Sequence, residues 1–273
     1  MRKIDRLGWT EGFAFESFGV RVGLRATNAR ALEALTERLP PGWRRSKAKT
    51  VERLYSIYSP ADEARRGVRR FHLLYGDHAR LARSEEFENV VEAFETDLHA
   101  YVAEEARRGL FVHAGAVGWR GRAVVLPGRS YSGKTTLVAE LVRAGATYYS
   151  DEYAVLDARG RLHPFTRPLS VREEGGARRK VSPEALEASV GERPLPVALV
   201  VVSEYRPEAR WRPRRLSSGR GLLELLAHTV SARRQPAVAL GTLGEVASRA
   251  RIWKGARGEA RACAASILEA LER

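Results

Sequence analysis

The chain has 273 residues, enough for two modest domains or one large one, each with a sizeable core. Hydrophobic residues make up 44% and charged residues 29%, which excludes a disordered chain. The single cysteine, Cys263, excludes an internal disulfide framework and a cysteine-cluster metal site. Lysine and arginine total 47 against 33 acids, a net charge of +14 in which only six of the cations are lysine. An excess of this kind points to an acidic partner such as nucleic acid, a phosphate-rich substrate or an acidic protein, and equally to plain arginine bias. The longest apolar stretch, residues 195–202, is interrupted by Pro196 and falls well short of the ~20 residues a membrane helix needs. No apolar segment follows the basic start. A cytoplasmic, reducing location without a membrane span is therefore expected.

In chain order, residues 13–24 alternate loosely and predict one or two strands. Residues 30–39 predict a short helix ended by Pro40-Pro41-Gly42. Residues 51–58 and 68–75 predict further strands, separated by a polar loop at 59–67. Residues 84–108 predict the clearest helix, with Phe87, Val90, Val91, Phe94, Leu98, Tyr101 and Val102 on one face. Ser84 is its expected N-cap, and Gly109 its expected C-terminal stop. The domain boundary is placed here: a smaller α+β domain over 1–108 and an α/β domain on a central mixed sheet over 109–273.

Residues 110–117 and 123–127 read as a hairpin, its second strand running into a glycine-rich loop and a helix over 134–144. A strand near 147–150, a hairpin over 153–163 and a buried strand at 196–202 follow. Residues 222–230 and 258–271 predict helices, the first containing His228 and the second burying Cys263. Residues 206–220, arginine-rich around Trp211, read as a solvated loop.

Gly128-Arg129-Ser130-Tyr131-Ser132-Gly133-Lys134-Thr135 is a full G-x-x-x-x-G-K-[ST] match between a strand and a helix. Glycines let such a loop wrap closely around a phosphate chain, and its N–H groups and the helix start favour negative charge. The expected nucleotide contacts are Gly128, Ser130, Tyr131, Ser132, Gly133, Lys134, Thr135 and Thr136. Lys134 is expected to bridge the β- and γ-phosphates of ATP, and the Thr135 hydroxyl to ligate Mg²⁺. Asp151-Glu152 follows the next strand. A carboxylate there suits a metal ligand or the base that takes a hydroxyl proton. Thr135, Asp151 and Glu152 are thus the expected metal ligands.

The order of parts resembles the HPr kinase/phosphorylase family and the HPr-kinase-related kinases, including those acting on lasso-peptide precursors. The shared features are His113-Ala114-Gly115, a hairpin, the P-loop, a helix, Ser150-Asp151-Glu152 and a proline- and arginine-containing strand over residues 164–172. The resemblance covers residues 110–172 well and the stretch from there to the C-terminus loosely, and the first hundred residues show no match to the family's N-terminal domain. It implies a P-loop kinase fold, Asp151 as base, Glu152 as the second acid, and His113 near the transferred phosphate. Arg167 and Arg172 are implied to neutralise its charge. Lys134-Thr135-Thr136 stands where the family has Lys-Ser-Glu, and the nearest acids for its downstream glutamate are Glu173 and Glu174. The implied acceptor is a hydroxyl, serine above all, on a peptide, protein or small molecule, and the implied assembly a homo-oligomer. The alternative from the charge is a nucleotide-binding regulatory or nucleic-acid-binding module, although no recognisable nucleic-acid-binding signature supports it.

Overall fold

The structure, a computed structural model, describes residues 3–60, 69–129, 132–172 and 178–272. It divides into two compact units, Met1–Arg107 and Arg108–Arg273. Both contain mixed sheets with helices, so the fold is α/β.

The first unit begins with a 3₁₀ turn, Lys3–Arg6, and continues through β1 (Glu11–Ser17), β2 (Val20–Ala26), α1 (Ala29–Thr36), β3 (Arg44–Ser46), β4 (Arg53–Tyr58), β5 (His72–Gly76), β6 (Ala79–Ser84) and α2 (Phe87–Glu105). The sheet order is β3-β1-β2-β4-β5-β6, with only β2 and β4 parallel. Phe18 and Gly19 both take positive φ and turn β1 into β2, as a tight hairpin requires. Asn28 caps α1 by accepting from the Ala31 N–H at 2.8 Å. The apolar stripe of α2 packs down as its period dictates: Val90, Val91, Phe94, Leu98 and Val102 are buried, and Phe94 meets Tyr55 edge-on at 5.1 Å.

Two end signals of α2 differ from expectation. The helix starts at Phe87, and Ser84 instead closes the preceding turn by accepting from the Glu86 N–H at 3.1 Å. The helix ends at Glu105, capped by Ala106, so Gly109 lies outside it and its positive φ turns the chain into the next strand.

The second unit comprises β7 (Leu110–Trp119), β8 (Arg122–Pro127), α3 (Lys134–Arg143), β9 (Thr147–Ser150), β10 (Tyr153–Leu156), β11 (Arg161–His163), β12 (Leu169–Arg172) and β13 (Arg178–Val181). A 3₁₀ turn, Glu184–Leu186, precedes β14 (Leu195–Tyr205), β15 (Arg214–Arg215), α4 (Ser218–Leu226), α5 (Pro236–Arg249), β16 (Arg251–Arg257) and α6 (Ala260–Glu269). The main sheet runs β11-β10-β7-β8-β14-β16-β15, with β9 also on β7. At its centre β8, β14 and β16 are parallel, while the outer pairings are antiparallel. Helices cover both faces. Val138, Leu141, Tyr148, Leu199 and Ile267 form the core under α3 and α6. Val125, Leu162, Val200, Leu225 and Leu243 form the core on the α4 and α5 side. Cys263 belongs to the first of these cores.

Several elements depart from the sequence expectation. α5 and β16 occupy segments for which no element was expected. α4 ends at Leu226, so His228 lies beyond the helix. Of residues 164–172 only Leu169–Arg172 is a strand, since Pro164 and Pro168 have no N–H to give to a ladder. Among the described residues no helix is long and apolar enough to cross a membrane.

Candidate functional site

The carboxyl ends of β8, β14 and β16 point the same way, and α3 begins just beyond β8. In open α/β sheets this end is where ligands settle. Gly128, Arg129 and residues 132–135, the described part of the G-x-x-x-x-G-K-[ST] motif, occupy it. Gly133 is the N-cap of α3 with φ +81°, a left-handed conformation that a side chain resists. α3 has no side-chain cap, so its first N–H groups, including those of Lys134, Thr135 and Thr136, are open to an anion. Gly128 is buried against the loop, and a Cβ there would sit 2.6 Å from Ser132 Oγ. Ser132 Oγ itself is sealed from solvent with no hydrogen-bond partner. Thr136 is exposed on the first turn. Ser130 and Tyr131 lie outside the described residues, as do Glu173, Glu174 and the side chain of Arg172.

Lys134 folds back over the loop. Its Nζ donates to the carbonyls of Gly128 at 2.7 Å and Arg129 at 2.8 Å. Burial lowers its pKa to about 8, partly opposed by Asp151 and Glu152. A half-buried ammonium whose hydrogen bonds, among the described residues, go to neutral carbonyls is poised to exchange them for phosphate oxygens.

β9 delivers the acids. Ser150 is buried, and its Oγ accepts from the N–H groups of Tyr153 at 3.1 Å and Glu152 at 3.4 Å, fixing the turn that carries Asp151-Glu152. Thr135 Oγ1 donates to Asp151 Oδ2 at 3.1 Å, and the Ser170 N–H reaches the same oxygen at 3.3 Å. Asp151 Oδ1 is buried without a partner. Desolvation pushes the Asp151 pKa up, against the pull of Thr135, Ser170 and Lys134. Glu152 is placed differently, as the ion-pair partner of Arg167. Arg167 therefore meets the second acid directly, and its carbonyl also receives the Tyr148 hydroxyl at 2.7 Å.

His113 sits on β7 opposite Tyr153 of β10. Its Nδ1 lies 2.9 Å from the Gly128 carbonyl, an acceptor only, so Nδ1 carries the proton and holds the start of the glycine-rich loop. Burial and the nearby Lys134 push its pKa below the usual imidazole value, which keeps it neutral at pH 7. Sequence reasoning passed over a neighbour. His228, just past α4, gives its carbonyl to the His113 N–H at 2.8 Å, and its own pKa is lowered by burial, Lys134 and His113. Nothing in its local sequence announces this, because the contact joins residues more than a hundred positions apart.

Lys134, Thr135, Asp151, Glu152 and His113 thus meet around one loop. The orphaned Asp151 Oδ1, the orphaned Ser132 Oγ and the uncapped helix start suit an anionic, metal-bearing ligand. Among the described residues no group of three or more His, Cys, Asp or Glu side chains could hold a metal by itself. Magnesium fits such a site, because it is commonly bound through one or two protein ligands plus substrate phosphates. Comparison of the chain with protein-family models and with curated proteins finds no match.

Proposed function

We propose that the chain is an ATP-dependent P-loop kinase of the HPr-kinase type, transferring the γ-phosphoryl group to a hydroxyl of a peptide, protein or small molecule. The observation that carries this reading is the meeting of Thr135 and Asp151 at the uncapped start of α3, beside Lys134. In this reading the open N–H groups of Lys134, Thr135 and Thr136 bind the phosphate chain. The Lys134 ammonium leaves its two carbonyls and steadies the β- and γ-phosphates. Magnesium, when bound, draws phosphate oxygens together and offsets their charge, with Thr135, Asp151 and Glu152 as the residues that would hold it.

Asp151 supplies the proton acceptor. As the acceptor oxygen bonds to the γ-phosphorus, the bond to the β–γ bridging oxygen breaks and the hydroxyl proton passes to the carboxylate. A carboxylate whose basicity is raised by burial accepts that proton more readily than an exposed one. Positioning and electrostatics do the remainder. The Arg167–Glu152 pair supports the acid side of the site, and neutral His113 holds the loop without adding charge. A cytoplasmic location suits both the single thiol and an ATP-consuming reaction.

The test is an ATP-consumption assay with Mg²⁺, free serine and a panel of serine-containing peptides, with Asp151→Asn and Lys134→Ala beside the wild type. Phosphate transfer to a hydroxyl, lost in both variants, supports the reading. Turnover unchanged in Asp151→Asn removes the base from it. Tight ATP binding without transfer to any acceptor favours the regulatory module instead.

A further inference from the structure

One strongly buried cation in the second unit makes no ion pair among the described residues. Arg257, the last residue of β16, is 2% exposed, and none of the ion pairs among the described residues includes it. Its Nη1 donates to the Gly258 carbonyl at 3.0 Å and its Nη2 to the Gly133 carbonyl at 2.7 Å. Its Nε is sealed from solvent with no acceptor at all. The Tyr205 ring, 5.7 Å from Cζ, covers one side.

Burying a charge without a counter-charge is costly, and it is tolerated where the charge does something. Here it grips one atom of the phosphate-binding loop. The Gly133 carbonyl accepts from the Leu137 N–H at 3.1 Å, the first helical bond of α3, and from Arg257. Both oxygen lone pairs are thereby used. A carbonyl directed into the helix leaves the following N–H groups directed out of it, toward a ligand. Arg257 also fills the space where any Cβ on residue 133 would go. Its hydrogen bonds go to two neutral carbonyls, and Glu259 attracts it only through space, an attraction that burial outweighs, close behind a loop suited to an anion.

We infer that Arg257 is the positioning residue of the phosphate-binding loop: it locks Gly133 at the start of α3, and a bound phosphate chain adds to the weak compensation its charge receives in the ligand-free fold. The inference rests on the nucleotide-site reading and adds a residue, from a strand more than a hundred positions away, on which affinity depends. It also separates affinity from stability. An arginine kept only for folding would lower the melting temperature when removed and leave nucleotide affinity alone. A loop-positioning arginine whose burial outweighs its attraction to Glu259 would do the reverse.

The test measures Mg·ADP dissociation constants and ligand-free melting temperatures for wild type, Arg257→Met, Arg257→Lys and Lys134→Ala. Arg257→Met removes the charge and keeps most of the volume. Its ligand-free melting temperature is expected to match or exceed the wild type, while ADP binding weakens tenfold or more. Arg257→Lys keeps the charge, loses the planar fork and is expected in between, about threefold or more weaker than wild type. ADP affinity changed less than tenfold in Arg257→Met overturns the inference, and so does a fall in its melting temperature with affinity intact. Should Arg257→Met fail to fold, Arg257→Lys decides by the threefold criterion. Wild type that binds no ADP overturns the nucleotide site and this inference together. Binding lost in Lys134→Ala but retained in Arg257→Met overturns this inference alone.

Discussion

Replacing Gly133 by alanine combines two penalties that can be separated. The first is backbone strain, because φ is +81° and the left-handed region costs an L-residue about 1–2 kcal/mol. The second is steric, because the new Cβ would meet the Arg257 guanidinium, which is buried and pinned at both ends. Forcing an extra carbon into a filled site costs about 1–3 kcal/mol. Gly121, in the β7–β8 turn, isolates the first penalty: its φ is +76°, and a Cβ there meets nothing within 4 Å. Gly121→Ala should therefore lose about 1–2 kcal/mol and Gly133→Ala about 2–5 kcal/mol. The assay is urea denaturation of both variants without nucleotide. Adding Arg257→Ala to Gly133→Ala should recover the steric part, a coupling of about 1 kcal/mol or more. Equal losses in the two alanine variants, or no recovery in the double variant, would refute the contact between Arg257 and the loop.

Further consequences concern charge. Lys134, held near pKa 8 in the ligand-free protein, must be protonated to meet phosphate, so ADP affinity should fall as pH rises from about 8 to 9.5; Lys134→Arg should flatten that dependence, as titration calorimetry across pH would show. In the ligand-free fold the same depressed pKa makes wild-type stability rise with pH between about 8 and the usual lysine value of 10.5, because there the unfolded chain binds more protons; Lys134→Met should lose that rise in urea melts. Asp157 holds the β10–β11 turn through the N–H groups of Arg159 at 2.9 Å and Arg161 at 3.0 Å and through His163 at 3.0 Å, with its pKa lowered to about 2. Its stabilisation is present above the unfolded value of 3.8 and is lost as pH falls toward 2; Asp157→Asn should cost about 1–2 kcal/mol at pH 7 and remove that acid-dependent portion. In the first unit, the Tyr55 hydroxyl donates to Asp97 Oδ2 at 2.6 Å beside Arg53, so Tyr55→Phe should cost about 1 kcal/mol in denaturant melts and leave the Arg53–Asp97 pair intact.

The local parts of this molecule were legible, and the long-range ones were not. The turn into α3 shows in the sequence because Gly133, which takes φ +81°, stands directly before the helix within an eight-residue motif. The long helix of the first unit shows in its period, since Val90, Phe94, Leu98 and Val102 must share a face. β16 is opaque for the opposite reason. Lys254-Gly255-Ala256 breaks any alternation, and the strand exists because β14 supplies a parallel edge along all seven residues. α5 is hidden by three residues of low helix propensity, Gly241, Thr242 and Gly244, which packing against α4, β14 and β7 overrides. Ser84 resembles a cap, but its hydroxyl accepts from the N–H of Glu86, two residues further on and still outside the helix. With β16 unseen, Arg257 could not be placed at the loop, and His228 was assigned to a helix it does not join.

The central claim is that the loop from Gly128 to Thr135 holds a nucleotide through Lys134. Its most direct measurement is isothermal titration of Mg·ADP into the wild type and into Lys134→Ala. We predict saturable one-to-one binding by the wild type and at least a hundredfold loss in the variant. No heat of binding at millimolar ADP, or equal affinity in both proteins, would contradict it.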